Sequence, residues 1–221
     1  MEISYWKARW QKDKTGWHMD QVYPPLVQYL DELQLKQDDT ILVPLCGKSM
    51  DIQWLLNKGF KVIGVEVSEK AVTELRSALN LNFTKHTKGH FKVFKSDDIQ
   101  LWLGDFLTMQ PSFLPKIDAI YDKAALIALP PQKRKPYAAT IKELCSSTTR
   151  MFLNCFEYPQ ETMSGPPFAV FKEELERLYG EQFLIKLLHR QPMLDQLSKF
   201  KQRGLKDFLD EKVYLLTPKN E

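Results

Sequence analysis

The chain has 221 residues, 43% of them hydrophobic, and its 31 basic and 28 acidic side chains give a formal net charge of +3. That make-up suits one globular domain, residues 1–221, with room for a substantial core, and its charge is too balanced to argue for a nucleic-acid surface. The amino terminus carries Glu2, Tyr5, Lys7 and Arg9 without a continuous apolar segment, and Cys46, Cys145 and Cys155 lack zinc-site spacing, so no signal peptide, membrane span or metal is expected and reduced thiols in the cytoplasm are.

Along the chain, residues 19–35 place Val22, Leu26, Val27, Leu30 and Leu33 at helical spacing. Residues 40–44 read as a first strand, 50–57 as a helix closed by Gly59, 62–67 as a second strand and 69–79 as a helix capped by Ser68. Residues 91–94 and 99–103 flank the polar Lys95-Ser96-Asp97-Asp98 and suggest a hairpin at the third strand. A short strand at 117–121, a helix over 137–144 and an apolar strand at 151–156 come next. Lys133-Arg134-Lys135 opens that helical pattern and reads as a solvated face. Three prolines and a glycine make 159–167 a loop. A helix over 173–179 and strands at 183–188 and 213–217 complete the chain. Strands alternating with helices predict an α/β fold, a mainly parallel sheet with helices on both faces. No helix of standard length separates the last two strands, which an antiparallel final strand explains.

One stretch carries a binding signal. Val43-Pro44-Leu45-Cys46-Gly47-Lys48-Ser49 is an apolar run ending in a glycine turn, and Val62-Ile63-Gly64-Val65-Glu66 is a second run ending in a carboxylate about 20 residues on. Gly47 lets the backbone approach a ligand, and Glu66 at a strand end can accept both hydroxyls of a ribose. A single glycine leaves pyrophosphate without a cradle. A ligand with a ribose and no phosphates fits better, and S-adenosylmethionine is the common one. Leu45 and Gly47 would offer backbone to its methionine portion. Asp105, after the third strand, can receive the adenine amino group, and Phe106 can stack on the ring. The plainer alternatives are a surface acid, an ordinary tight turn, and a helix cap beside a core phenylalanine. His86 and His90 have i, i+4 spacing, but Gly89 interrupts the helix and no further ligand completes a metal set.

The wording of this stretch resembles the thiopurine S-methyltransferase family, whose signature is a Pro-Leu-Cys-Gly-Lys turn followed by a Gly-Val-Glu-hydroxyl strand. Trp6-Lys7-Ala8-Arg9-Trp10 with Gly16-Trp17-His18, Leu103-Gly104-Asp105-Phe106, Tyr121-Asp122-Lys123-Ala124-Ala125, Ser164-Gly165-Pro166-Pro167-Phe168 and Glu211-Lys212-Val213-Tyr214 agree in order. The resemblance implies a Rossmann-like class I methyltransferase fold, a mostly parallel seven-stranded sheet with an antiparallel final strand, in a monomer. It implies that residues 1–35 form a lid over the cofactor, with Trp10 against S-adenosylmethionine and Trp17 and His18 toward the acceptor; core tryptophans and a satisfied polar histidine without a chemical role are the alternatives. Arg203 aligns with a substrate-facing arginine of the family, an exposed surface residue being the alternative. Lys123 departs from the family's usual arginine, and would meet either the methionine carboxylate or an anionic acceptor. A second departure is Tyr23 before Pro24, where bacterial relatives tend to have asparagine.

The implied activity is methylation of an aromatic or heterocyclic thiol. Aligning and desolvating the partners is enough for such a displacement, worth roughly 7–11 kcal/mol, which accounts for the lack of a Ser-His-Asp or Cys-His set. Inorganic selenium or tellurium species or other small soft nucleophiles are alternative acceptors. A cofactor-binding protein without turnover is the alternative of a different class, and an RNA methyltransferase would want a basic groove that the sequence lacks.

Overall fold

Thr40, Ile41, Leu42, Val43 and Pro44 are all buried and form β1 (Thr40–Pro44), as a strand between parallel neighbours requires. It lies in the first of two compact units, Met1–Tyr121 and Asp122–Glu221, of the computed structural model, which describes residues 3–219.

In the first unit β2 (Lys61–Glu66) and β6 (Ala119–Asp122) flank β1 in parallel, and β5 (Ile99–Leu103) runs parallel to β2 on its far side. β4 (Phe91–Lys95) folds back antiparallel to β5, and β3 (Thr84–Lys88) antiparallel to β4. The helices are α1 (Ile3–Gln11), α2 (Pro24–Tyr29), α3 (Met50–Asn57) and α4 (Glu69–Leu79). Their limits have local causes. Ser49 and Ser68 accept from the amides of Asp51 (3.2 Å) and Ala71 (3.3 Å) and so start α3 and α4, and Asn80 closes α4 in the left-handed region. Pro24 fixes the first turn of α2, so the expected helix over 19–35 begins there and tightens into a 3-10 turn at Leu30–Leu33.

The second unit has α5 (Pro131–Leu144), β7 (Arg150–Glu157), α6 (Lys172–Tyr179), β8 (Phe183–Pro192), α7 (Ser198–Gln202) and β9 (Asp210–Pro218). β9 is antiparallel to both β7 and β8, the antiparallel final strand that was expected. Phe200 of α7 packs with Tyr158, Met163 and Leu205 in a small core of its own.

Several expectations are corrected. The strands number nine among the described residues, not seven, and β3 is the one that pattern could not reveal because all five of its residues are exposed. His86 sits on β3 and His90 in the hairpin turn, not on a helix. α5 contains the expected 137–144 with Lys133-Arg134-Lys135 near its start, but Arg134 is buried, held by Glu174 at 2.6 Å, so the basic cluster is not a wholly solvated face. β8 runs to Pro192, and α7 follows it. No helix among the described residues is long and apolar enough to cross a membrane, and no cluster of three or more potential ligands there could hold a metal.

Candidate functional site

The carboxyl ends of β1, β2 and β5 meet at Glu66. Its main-chain oxygen accepts from Gly104 at 2.9 Å, fixing the turn after β5, and its register partner on that strand is Leu103. Its carboxylate is buried and accepts three backbone N–H groups: Oε2 from Gly47 at 2.9 Å, and Oε1 from Val67 at 2.8 Å and Ser68 at 2.7 Å. Glu66 thus fastens the turn after β1 to the end of β2. A carboxylate offers about four lone-pair sites, so Oε2 keeps one for a hydroxyl donor. Burial raises its pKa, opposed by the bonds from Ser68, Gly47 and Val67. Burial and the nearby Glu66 push the Cys46 thiol well up as well, so this cysteine is no thiolate nucleophile.

The turn itself is tight. Leu45 and Gly47 both have positive φ, 49° and 55°. A Cβ on Gly47 would stand 3.0 Å from Cζ2 of Trp10, so the indole of Trp10 rests directly on the backbone of the turn. Trp10 meets Trp17 edge to face at 5.8 Å, Trp17 meets Trp6 at 5.2 Å, and the Arg9 guanidinium lies over Trp17 at 5.3 Å. Trp10 is buried, while Trp17 and His18 are partly exposed. His18 places Nε2 3.5 Å from Asp20. Asp105 follows β5 and caps the 3-10 turn Phe106–Thr108, with Oδ1 accepting from Leu107 at 3.0 Å, and Phe106 is buried behind it.

The fit to a ribose-bearing ligand without phosphates is direct. There is a glycine turn at Gly47 covered by the Trp10 indole, an open acceptor position on Glu66 and a half-buried acid at Asp105 on the next strand end. Trp10, Leu45, Gly47, Glu66, Asp105, Phe106, Trp17 and His18 all belong to the first unit. Lys123 and Arg203 belong to the second. Lys123 sits half-buried in the turn after β6, beside Ala124 at φ 65°. Arg203 caps α7, is exposed, and donates to the carbonyls of Pro166 (3.0 Å) and Ser164.

Sequence reasoning missed two buried acids. Asp51 accepts from the Tyr23 amide, the Tyr121 hydroxyl and the Ser49 hydroxyl, each at 2.8 Å, and so joins the amino-terminal segment, α3 and β6. Its only sequence signal is an acid in the first turn of a helix, which usually means no more than dipole compensation. Asp122 accepts from the amides of Ala125 (3.0 Å) and Leu126 (3.1 Å) and from the Tyr137 hydroxyl (2.7 Å).

A family model described as Thiopurine S-methyltransferase matches residues 1–219. A thiopurine S-methyltransferase of Azotobacter vinelandii is 40% identical over 98% of this chain and 99% of its own length, and one of Pseudomonas fluorescens SBW25 is 38% identical over the same shares. Among solved structures, the Burkholderia thailandensis 1,6-didemethyltoxoflavin-N1-methyltransferase, with bound 1,6-didemethyltoxoflavin and S-adenosylhomocysteine, matches with TM-score 0.64 at 15% identity, over 97% of this chain and 87% of that one. A TehB-like SAM-dependent methyltransferase from Corynebacterium glutamicum matches with TM-score 0.58 at 16% identity, over 98% of both chains. These likenesses are of fold, the open α/β sheet of class I methyltransferases.

Proposed function

The chain belongs to the thiopurine S-methyltransferase family, and on that premise we propose that it methylates the sulfur of aromatic or heterocyclic thiols, using S-adenosylmethionine as the donor. It is a methyltransferase by family. The observation that carries the cofactor reading is the Glu66–Gly47 interlock: one buried carboxylate holds the turn at 2.9 Å and keeps an acceptor position for a ribose hydroxyl.

The donor supplies a methyl group already activated by a sulfonium charge. Glu66 would receive one ribose hydroxyl rather than the two expected, because three of its acceptor positions are taken by backbone amides, and Leu45 and Gly47 would present backbone to the methionine portion. Asp105 receives the adenine amino group, with Phe106 against the ring. Trp10 and Trp17 exclude water and offer aromatic faces to a cation. Lys123 orients an anionic acceptor as a movable point charge, where arginine would have fixed it with two parallel bonds. His18 and Arg203 are assigned to the acceptor side. Arg203 already spends two N–H groups on the Ser164 and Pro166 carbonyls, so in this reading it shapes that loop as well as contacting substrate. The chain acts as one methyltransferase domain with residues 1–35 as its lid, a monomer in the cytoplasm. The free thiols of Cys46, Cys145 and Cys155 support a reducing compartment.

The test is calorimetric titration with S-adenosylhomocysteine, followed by turnover with thiophenol, 2-mercaptobenzoate and 6-mercaptopurine. Saturable binding and methylthioether products are expected. Binding without methylation of any thiol would overturn the acceptor assignment, and failure to bind would overturn the cofactor site.

A further inference from the structure

The turn that carries Lys123 is built around an acid that the reaction itself does not use. Asp122 ends β6 fully buried, and its carboxylate accepts three hydrogen bonds. Two come from the amides of Ala125 and Leu126, which lead into the 3-10 turn Leu126–Ala128. The third comes from the hydroxyl of Tyr137 on α5, which is itself fully buried. Lys123 and Ala124 lie between the acid and its amide donors. Ala124 has φ 65°, a conformation that a Cβ disfavours, so the loop has this shape because something holds it there. The carboxylate, by clamping the two amides that follow, is the group placed to do so.

We propose that Asp122, braced by Tyr137, is a positioning residue for Lys123, fixing the backbone from which that cation meets an anionic acceptor. The inference rests on reading Lys123 as the acceptor-orienting cation. Lysine has a long flexible stem and a single charged point, so its aim depends on where its own backbone is held more than an arginine fork's would. Asp122 touches no reacting atom in this scheme. Its effect must therefore pass through Lys123, and that makes it separable from a purely structural acid.

The experiment compares kcat/KM for 2-mercaptobenzoate with kcat/KM for thiophenol, in the wild type, Asp122→Asn, Tyr137→Phe, Lys123→Met and the double variant Asp122→Asn/Lys123→Met. Asp122→Asn should lower the ratio of charged to neutral acceptor by about tenfold, as expected for one misaligned charge-assisted contact. Tyr137→Phe should lower it in the same direction and less, and it keeps the proposal testable if the asparagine variant does not fold. In the Lys123→Met background the asparagine substitution should change the ratio no further. A wild type that turns over both thiols while Asp122→Asn leaves their ratio unchanged overturns the inference alone. So does an equal loss on both acceptors that tracks a lowered Tm, or a further fall of the ratio in the methionine background. A wild type that methylates neither thiol overturns the acceptor reading, and this inference with it.

Discussion

Two turns of this molecule are built on the same device and finished differently. After β2, Glu66 gathers the amides of Gly47, Val67 and Ser68; after β6, Asp122 gathers those of Ala125 and Leu126. Each acid turns a strand end into a fixed loop by giving orphan N–H groups a charged acceptor. The difference lies in what completes the carboxylate. Each carboxylate accepts three hydrogen bonds, but Asp122 is closed by the Tyr137 hydroxyl and is fully buried, whereas Glu66 accepts from main-chain amides alone and keeps 7% of its surface exposed. A carboxylate sealed from solvent by the protein's own hydroxyl serves the fold, and one that keeps some exposure can serve a ligand.

The sharpest way to break that contrast is pH. Burial raises Asp122 from 3.8 to about 6, against the opposing bonds from Tyr137, Leu126 and Ala125. The folded state therefore binds this proton more tightly than the unfolded chain does. Stability from this group is present below about pH 4 and is lost as pH rises through about 6, by a change on the order of 3 kcal/mol. The groups facing it are Tyr137 on α5, Tyr179 on α6 and Cys155 on β7, all pushed well up and neutral throughout that window. Urea unfolding at pH 4 and pH 7 should show wild type losing stability relative to Asp122→Asn as pH rises. Saturating S-adenosylhomocysteine should leave that difference in place, because no ligand reaches a sealed carboxylate. A difference that does not change with pH would remove the case for a sealed acid.

Affinity separates the two acids next. Charge-assisted hydrogen bonds contribute about 1.5–3 kcal/mol, so Glu66→Ala should weaken S-adenosylhomocysteine binding by about 10- to 150-fold. Asp122→Asn should leave it within about twofold, well under one such bond. Titration calorimetry on the two variants decides it. Equal losses would mean that both turns serve the cofactor alike.

These two acids were not equally legible in the sequence. Glu66 stood out because a strand, a glycine turn, a helix and a second strand ending in an acid follow each other at a spacing that has a physical reason. Asp122 sat inside a recognisable segment, yet its bracing partner Tyr137 lies on a helix whose pattern says only that tyrosine is amphipathic. The same holds for Arg134, which looks solvated within Lys133-Arg134-Lys135 until Glu174, 40 residues on, meets it. Long-range pairing leaves no local trace. Where cause was local the reading was close: β1, α3, α4 and β5 have the limits that apolar runs, a serine cap and Gly59 imply. β3 is exposed throughout and exists only because β4 pairs with it, so its polar residues carried no strand signal. The family and fold were legible from motif wording, and the nine-strand count was not.

The smallest effect tests the two turns through their left-handed residues, which evolution has filled differently. Gly47 has φ 55° and Ala124 has φ 65°. An L-residue in this region costs about 1–2 kcal/mol, and exchanging glycine for alanine returns about 0.4–1 kcal/mol through the unfolded chain. Gly47→Ala should therefore destabilise the fold by up to about 1.6 kcal/mol from backbone alone. Its Cβ would also sit 3.0 Å from Trp10, so the indole must shift by a few tenths of an ångström. That shift falls on the cofactor turn, and S-adenosylhomocysteine affinity should drop with it. Ala124→Gly should do the reverse, raising stability by up to about 1.6 kcal/mol and leaving cofactor affinity alone. Chemical denaturation and calorimetry on the two variants measure all four quantities. If Ala124→Gly instead destabilises the protein, freeing the chain costs more than the strain it relieves, and Asp122 alone holds that turn against its own preference.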